Sequence, residues 1–291
     1  MNIPIIEVFT SIQGEGVFMG VPSVFVRVSG CNLRCIFKGS ICDTPYSSFD
    51  PEKSKYGIND VVDEFVKHPN VRHLVLTGGE PTLYDINGFM DELQEKLNAR
   101  SIPWPKITIE TNGTLPIKPD FRVWMYSISP KLSSSCLRGI DNMDPEKIIA
   151  VNIGNTEVEL KVSTLQKHNR IRINPDVLAQ TIRGNYLFNT ECQLKFVWSG
   201  PSAEKEIKDL LNELSEKILE LQNSDHIVGG TSYDLVNPLQ YLNTCVYIMP
   251  EGITGDDISN NAQEAVEACI RNGWNYTDRL HIRIWGNSRN K

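Results

Sequence analysis

The sequence has no apolar run near the roughly 20 residues that a membrane-crossing helix needs. Its start, Met1-Asn2-Ile3-Pro4, sets no basic stretch ahead of an apolar one. A spanning segment and a cleaved leader are therefore not expected, and the reading is a cytoplasmic protein with no membrane partner. An excess of positive charge is lacking too: 29 Lys and Arg stand against 36 Asp and Glu, for a formal net charge of -7. That balance speaks against the clustered basic face of a nucleic-acid binder and for a small-molecule partner. Internal repeats and low-complexity tracts are absent. Cysteine is sparse and odd in number, so a disulfide framework is a poor reading. Of the seven, Cys31, Cys35 and Cys42 crowd together, while Cys136, Cys192, Cys245 and Cys269 are scattered. In a reducing compartment the crowded three suggest metal and the scattered four suggest buried thiols.

What remains is ordinary globular material. The 291 residues are 40% hydrophobic and 22% charged, enough for a large core; one large α/β domain fits this length, as would two small ones, and a single domain over residues 1–291 is the reading adopted. Residues 22–29 are β-branched and aromatic and stop at Gly30, which reads as a strand running into the cysteine loop. Ile58, Val61, Val62, Phe65 and Val66 recur at helical spacing, and His73-Leu74-Val75-Leu76-Thr77 then runs into Gly78-Gly79. Helix (Ile86, Phe89, Met90, Leu93, Leu97) and strand (106–111) follow again, then a strand at 123–129. Further strands are predicted at 193–198, 244–249 and 280–285, with helices at about 203–222 and 257–272. Such alternation implies a largely parallel sheet covered by helices. Residues 133–190 break the rhythm and read as an elaboration, with a short helix near 145–151.

Polar, glycine-rich segments sit where the predicted strands end: Ser29-Gly30-Cys31, Thr77-Gly78-Gly79-Glu80-Pro81, Glu110-Thr111-Asn112-Gly113-Thr114, Ser129-Pro130-Lys131 and Met249-Pro250-Glu251-Gly252. In parallel α/β folds the C-terminal strand ends form the binding face, so these segments should converge. Three thiolates would hold a four-iron cluster and leave one iron open, as a chemically active cluster requires. A zinc site or three structural thiols are the alternatives. Zinc wants a fourth ligand, and the nearest histidine is His68.

Taken together, these segments resemble the radical S-adenosylmethionine superfamily, in which a Cys-x3-Cys-x2-Cys loop follows the first barrel strand and a Gly-Gly-Glu segment the second. Six residues rather than two separate Cys35 from Cys42 here, yet Cys42 is followed by Asp43-Thr44. Within the superfamily the chain is similar to the 7-carboxy-7-deazaguanine synthase family. The similarity rests on Phe9-Thr10-Ser11-Ile12-Gln13-Gly14-Glu15-Gly16, Gly20-Val21-Pro22-Ser23, Phe25-Val26-Arg27, Gly30-Cys31-Asn32-Leu33-Arg34-Cys35, Cys42-Asp43-Thr44, the strand-end segments above, Ser129-Pro130-Lys131-Leu132 and Lys195-Phe196-Val197.

The resemblance implies a modified or partial (β/α) barrel. It implies a 4Fe-4S cluster on Cys31, Cys35 and Cys42 and a magnesium ion on Thr44. S-adenosylmethionine would lie against Ile41, Cys42, Asp43, Gly79, Glu110, Ser129, Pro130, Lys131, Met249 and Pro250. A carboxypterin substrate would contact Ile12, Gln13, Gly14, Glu15, Arg27 and Thr77, with the Arg27 fork on its carboxylate. His281 and Arg283, alternating on the last predicted strand, read as structural. Some shorter members of the family place a C-terminal proline carboxylate near the substrate; this chain ends Arg289-Asn290-Lys291, so that feature is not carried over. The implied activity is ring contraction of 6-carboxy-5,6,7,8-tetrahydropterin with loss of ammonia, in 7-deazapurine synthesis of the queuosine type. A flavodoxin or ferredoxin donor and a homodimer are implied with it. A radical activase of a protein partner and a non-catalytic metal-binding relative are the rival readings.

Overall fold

The computed structural model describes residues 3–37, 40–118, 120–153, 156–227 and 235–290. Met1 and Asn2 of the start, and residues 154 and 155 of the elaboration, lie outside that set. The chain opens with β1 (Ile5–Ile12) and β2 (Pro22–Val28), an antiparallel pair with Val8 opposite Val26. The cysteine loop holds a two-strand ladder, β3 (Ile36–Phe37) and β4 (Ser40–Ile41), and then α1 (Pro45–Ser48). Next come α2 (Ile58–Lys67), β5 (His73–Gly78), α3 (Ile86–Ala99), β6 (Lys106–Thr111) and β7 (Met125–Ile128). The elaboration supplies β8 (Ile148–Ile153), β9 (Thr156–Lys161), α4 (Val162–Ile171) and α5 (Pro175–Leu187). The chain finishes with β10 (Glu191–Trp198), α6 (Ser202–Ile227), α7 (Pro238–Cys245), β11 (Val246–Pro250), α8 (Gly255–Asn272), β12 (Asn275–Tyr276) and α9 (Leu280–Trp285).

Eight strands form one sheet in the order β1-β2-β5-β6-β7-β10-β11-β12, parallel from β2 onward. New strands are added at one edge throughout, as in a barrel, but among the described residues β1 and β12 do not pair. The sheet is therefore the largely parallel one expected from the alternation, in the form of the open, partial (β/α) barrel that the resemblance implies. Side chains alternate along each strand. Val24, Val26, Leu74, Leu76, Ile107, Ile109, Leu194, Phe196, Val246 and Ile248 are fully buried in the main core. The intervening residues face inward, and the inner floor carries polar groups: His73 meets Ser23 at 2.7 Å and Thr108 at 2.8 Å.

Helix α2 buries Ile58, Val61, Val62 and Phe65 of the stripe read from sequence, while Val66 is exposed. Three expectations fail. The helix near 145–151 is strand β8, paired with β9 so that Ile149 opposes Leu160 and both pack on the small core of Ile140, Val162 and Leu165; the β-branched run there finds a partner strand instead of coiling. Thr244 and Cys245 close α7 and β11 starts at Val246. The strand expected at 280–285 is helix α9. The alternation of Leu280, Ile282 and Ile284 imitates a strand, yet Ile284 is exposed while Ile282 is buried. No buried face rewards the extended form, because the sheet ends at β12. Strand β1 is an element that the sequence reading did not identify.

Candidate functional site

A cavity of about 830 Å³ opens at the C-terminal ends of the parallel strands. Its wall includes Cys31, Cys35 and Cys42 and, of the other residues singled out from sequence, Ile12, Gln13, Gly14, Glu15, Arg27, Ile41, Asp43, Thr44, Thr77, Gly79, Glu110, Ser129, Lys131, Met249 and Pro250. The expected convergence is met with one exception. Pro130 is buried behind the wall and does not line it, because the residues on either side, Ser129 and Lys131, are the ones turned inward.

The turns that carry these residues are held by backbone fit. Gly79 cannot carry a side chain, since a Cβ there would lie 1.9 Å from the Gly30 carbonyl oxygen and 2.7 Å from that of Ser47. Glu80, fully buried, accepts from Thr82 N, Thr82 Oγ1, Thr111 Oγ1 and Asn112 N. One carboxylate thus ties the loop after β5 to the loop after β6. Asn112 Nδ2 donates to Asn32 Oδ1 at 2.9 Å, and Asn32 Nδ2 to Thr114 Oγ1 at 2.8 Å, which fastens the cysteine loop to the same frame.

All seven cysteines are free thiols. Burial pushes Cys31 up to about 11 and raises Cys35 further, so both stay protonated until a metal displaces the proton, as coordination does outright. Among the described residues no three His, Cys, Asp or Glu side chains form a group able to hold a single ion. Cys31, Cys35 and Cys42 set three soft sulfur donors along one cavity wall, the donor type that iron–sulfur clusters take.

The opposite wall is charged. Glu15 accepts from Lys195 Nζ at 2.5 Å and Arg279 Nε at 3.1 Å, and Arg279 also holds Asp43 and the Gly252 carbonyl. Burial alone would raise Glu15, but the two cations outweigh it and hold the carboxyl well below its usual range. Lys195, Arg279 and His281 line the cavity and were not assigned to it from sequence. Lys195 carried a signal, a lysine set between the apolar Leu194 and Phe196 of a strand. Arg279 carried none. His281 sits on α9, not on a strand, against Gly14, where a Cβ would fall 1.9 Å from its Nδ1. Arg283 points away, onto Asp278.

Gln13 Nε2 donates to Glu110 Oε1 at 3.1 Å and Thr77 Oγ1 to Glu110 Oε2 at 2.7 Å. Lys131 Nζ donates to Ser129 Oγ at 2.8 Å and has no acidic partner among the described residues. Arg27 Nε donates to Glu7 Oε2 at 2.6 Å, and its two Nη atoms have no partner among the described residues. Glu7, buried, also accepts from Tyr46 and from Arg289. Arg289 stacks on Tyr46 with its carbon 3.8 Å from the ring centre. Residues 287–290 thereby form part of the cavity wall.

A loop of three thiols after the first parallel strand of an open barrel, facing a glycine turn after the second, defines a radical S-adenosylmethionine protein, and the radical SAM superfamily model matches residues 25–122. The 7-carboxy-7-deazaguanine synthase of Halobacterium salinarum is 32% identical over 286 residues, which is 98% of this chain and 91% of that one. That of Rhodopirellula baltica is 32% identical over 289 residues, 99% and 88% of the two chains. The crystal structure of QueE from Escherichia coli covers 97% of this chain and 95% of its own at 20% identity and a TM-score of 0.49. With relatives this similar along nearly its whole length, the chain belongs to the 7-carboxy-7-deazaguanine synthase family, a family of lyases. Membership of the superfamily carries a 4Fe-4S cluster and S-adenosylmethionine as cofactors.

Proposed function

We propose that this chain converts 6-carboxy-5,6,7,8-tetrahydropterin to 7-carboxy-7-deazaguanine with release of ammonia. The observation that carries the reading is the single cavity joining three thiols on one wall to the free Nη pair of Arg27 on another. Cys31, Cys35 and Cys42 hold the cluster. Ile41, Cys42, Asp43, Gly79, Glu110, Ser129, Lys131, Met249 and Pro250 surround S-adenosylmethionine, with the unpaired Lys131 ammonium available to its carboxylate. When bound, this pair supplies the radical chemistry that removes a hydrogen atom from the substrate at C6.

The rest is the work of the chain's own groups. Glu7 fixes Arg27 through Nε, which leaves the two Nη donors for a substrate carboxylate. Ile12, Gln13, Gly14, Glu15 and Thr77 border the space for the pterin edge. The Glu15 carboxylate is already shared by Lys195 and Arg279, so it steadies that segment while the neighbouring groups supply donors and acceptors. Thr44 does not cap α1; its Oγ1 lies 3.4 Å from Cys42 Sγ at the cavity wall, where a hydroxyl suits magnesium completed by water and substrate. Thr44→Ala should blunt the rise in turnover on adding magnesium and leave iron content unchanged; equal activity in chelated and magnesium-replete buffer removes the role.

The decisive experiment incubates anaerobically reconstituted protein with the carboxypterin, S-adenosylmethionine and dithionite and seeks the deazaguanine by mass. Cofactor cleavage without that product would exclude the substrate assignment.

A further inference from the structure

Cys31 lies in the wall between two openings. Inward it borders the cavity described above. Outward it borders a second cleft of about 430 Å³, which it shares with Asn32, Arg34, Ser163, Thr164, Lys167 and Arg170. The lining holds three cations and no carboxylate, in a chain whose net charge is -7. Lys167 and Arg170 are exposed on α4 and have no ion-pair partner among the described residues.

The cleft is a built junction. Arg34 N donates to His168 Nδ1 of α4 at 3.1 Å, while Arg34 Nη1 is anchored on the carbonyls of Cys31 at 2.8 Å and Leu33 at 2.7 Å. His168 is itself buried and reaches Ser135 Oγ. The elaboration therefore docks a helix on the cysteine loop and sets its basic residues beside Cys31.

We propose that this cleft is the docking face for an acidic one-electron donor protein. The proposal rests on the reading that Cys31 holds a reducible cluster. The exchange balances simply: one electron leaves the reduced flavin or iron–sulfur group of the donor, which is oxidised, and arrives at the cluster, which is reduced; no covalent bond forms or breaks at the cleft. Electron transfer weakens steeply with distance, so a donor gains most by docking where the wall over the cluster ligand is thinnest. The main cavity cannot serve, being taken up by substrate and cofactor. A cationic rim speeds encounter with an anionic partner and orients it. The chain's overall acidity argues against a nucleic acid there.

The test uses reconstituted holoprotein and a recombinant flavodoxin of strongly acidic surface. Both Lys167 and Arg170 are reversed in charge, as Lys167→Glu with Arg170→Glu. Binding is followed by fluorescence anisotropy at low and at high salt. The double variant should bind about tenfold more weakly at low salt and lose most of the salt dependence. Turnover driven by reduced flavodoxin should fall in step, with turnover driven by dithionite unchanged. The neutral pair, Lys167→Ala with Arg170→Ala, should fall between wild type and the reversal, which guards against a folding defect. Flavodoxin affinity equal in wild type and double variant would overturn the docking face. Failure of the wild type to make product with dithionite would instead strike the proposed reaction, and the binding measurement would still decide the cleft.

Discussion

The two sides of the cavity are built by different physics. On the thiol side the chain is placed by close packing of backbone: Gly79 against Gly30, and Glu80 satisfying four donors from two loops. On the far side it is placed by charge: Glu15 between Lys195 and Arg279, and Glu7 between Arg27 and Arg289. The first kind of wall tolerates almost no change in volume. The second adapts in shape but depends on each ion keeping its partner, because an unpaired buried charge costs more than the pair returns.

The largest expected effect tests the rigid wall. Gly79→Ala has nowhere to put its methyl group, since the obstacles are carbonyl oxygens and not movable side chains. We expect a loss of about 3 kcal/mol or more, read by urea unfolding together with iron content. Wild-type stability in that variant would mean that the turn is far softer than its contacts indicate.

Next comes the charged wall. Arg27→Ala should weaken carboxypterin binding by roughly 2–5 kcal/mol and leave iron content and uncoupled cofactor cleavage intact. Arg27→Lys should recover little, because one ammonium cannot present two parallel donors. Undiminished binding in the alanine variant would take Arg27 out of the site.

The third prediction sharpens the contrast through pH. Burial lowers His168 to about 4, and its Nδ1 accepts from Arg34 N, a bond that only the neutral ring can make. Between the ordinary histidine value of about 6.5 and about 4, the unfolded chain takes up a proton that the folded chain refuses. Stability should thus be intact above that window and fall on acidification through it. His73, also lowered to about 4 by burial, acts in the same direction from the barrel floor. His168→Gln should flatten part of this acid limb in chemical denaturation; a limb identical to wild type would assign the whole effect to His73.

The smallest effect belongs to the tail. Arg289 shares Glu7 with Arg27 but is more than a third exposed, so Arg289→Ala should weaken carboxypterin binding only a few-fold, about 0.5–1 kcal/mol. Titration calorimetry beside the Arg27 variants would rank the two; a loss as large as that of Arg27→Ala would break the ranking.

Much of the site was legible because its signals are local. Gly79, Cys31 and Arg27 stand next to the strand ends that position them, and strand alternation already turned Arg27, Thr77 and Lys195 to one face. Arg279 was not legible, since its meaning depends on Glu15, 264 positions away. The sequence by itself determined the alternation of strands and helices, the face on which the loops gather and the thiol set. These follow from hydrophobic period and turn chemistry, which act over a few residues. Only the tertiary structure decided that 280–285 coils and 148–153 extends, that Pro130 hides, and that residues 287–290 return to the cavity. Each of those outcomes turns on whether a distant surface is present to bury a side chain or share a charge, and no local pattern encodes that.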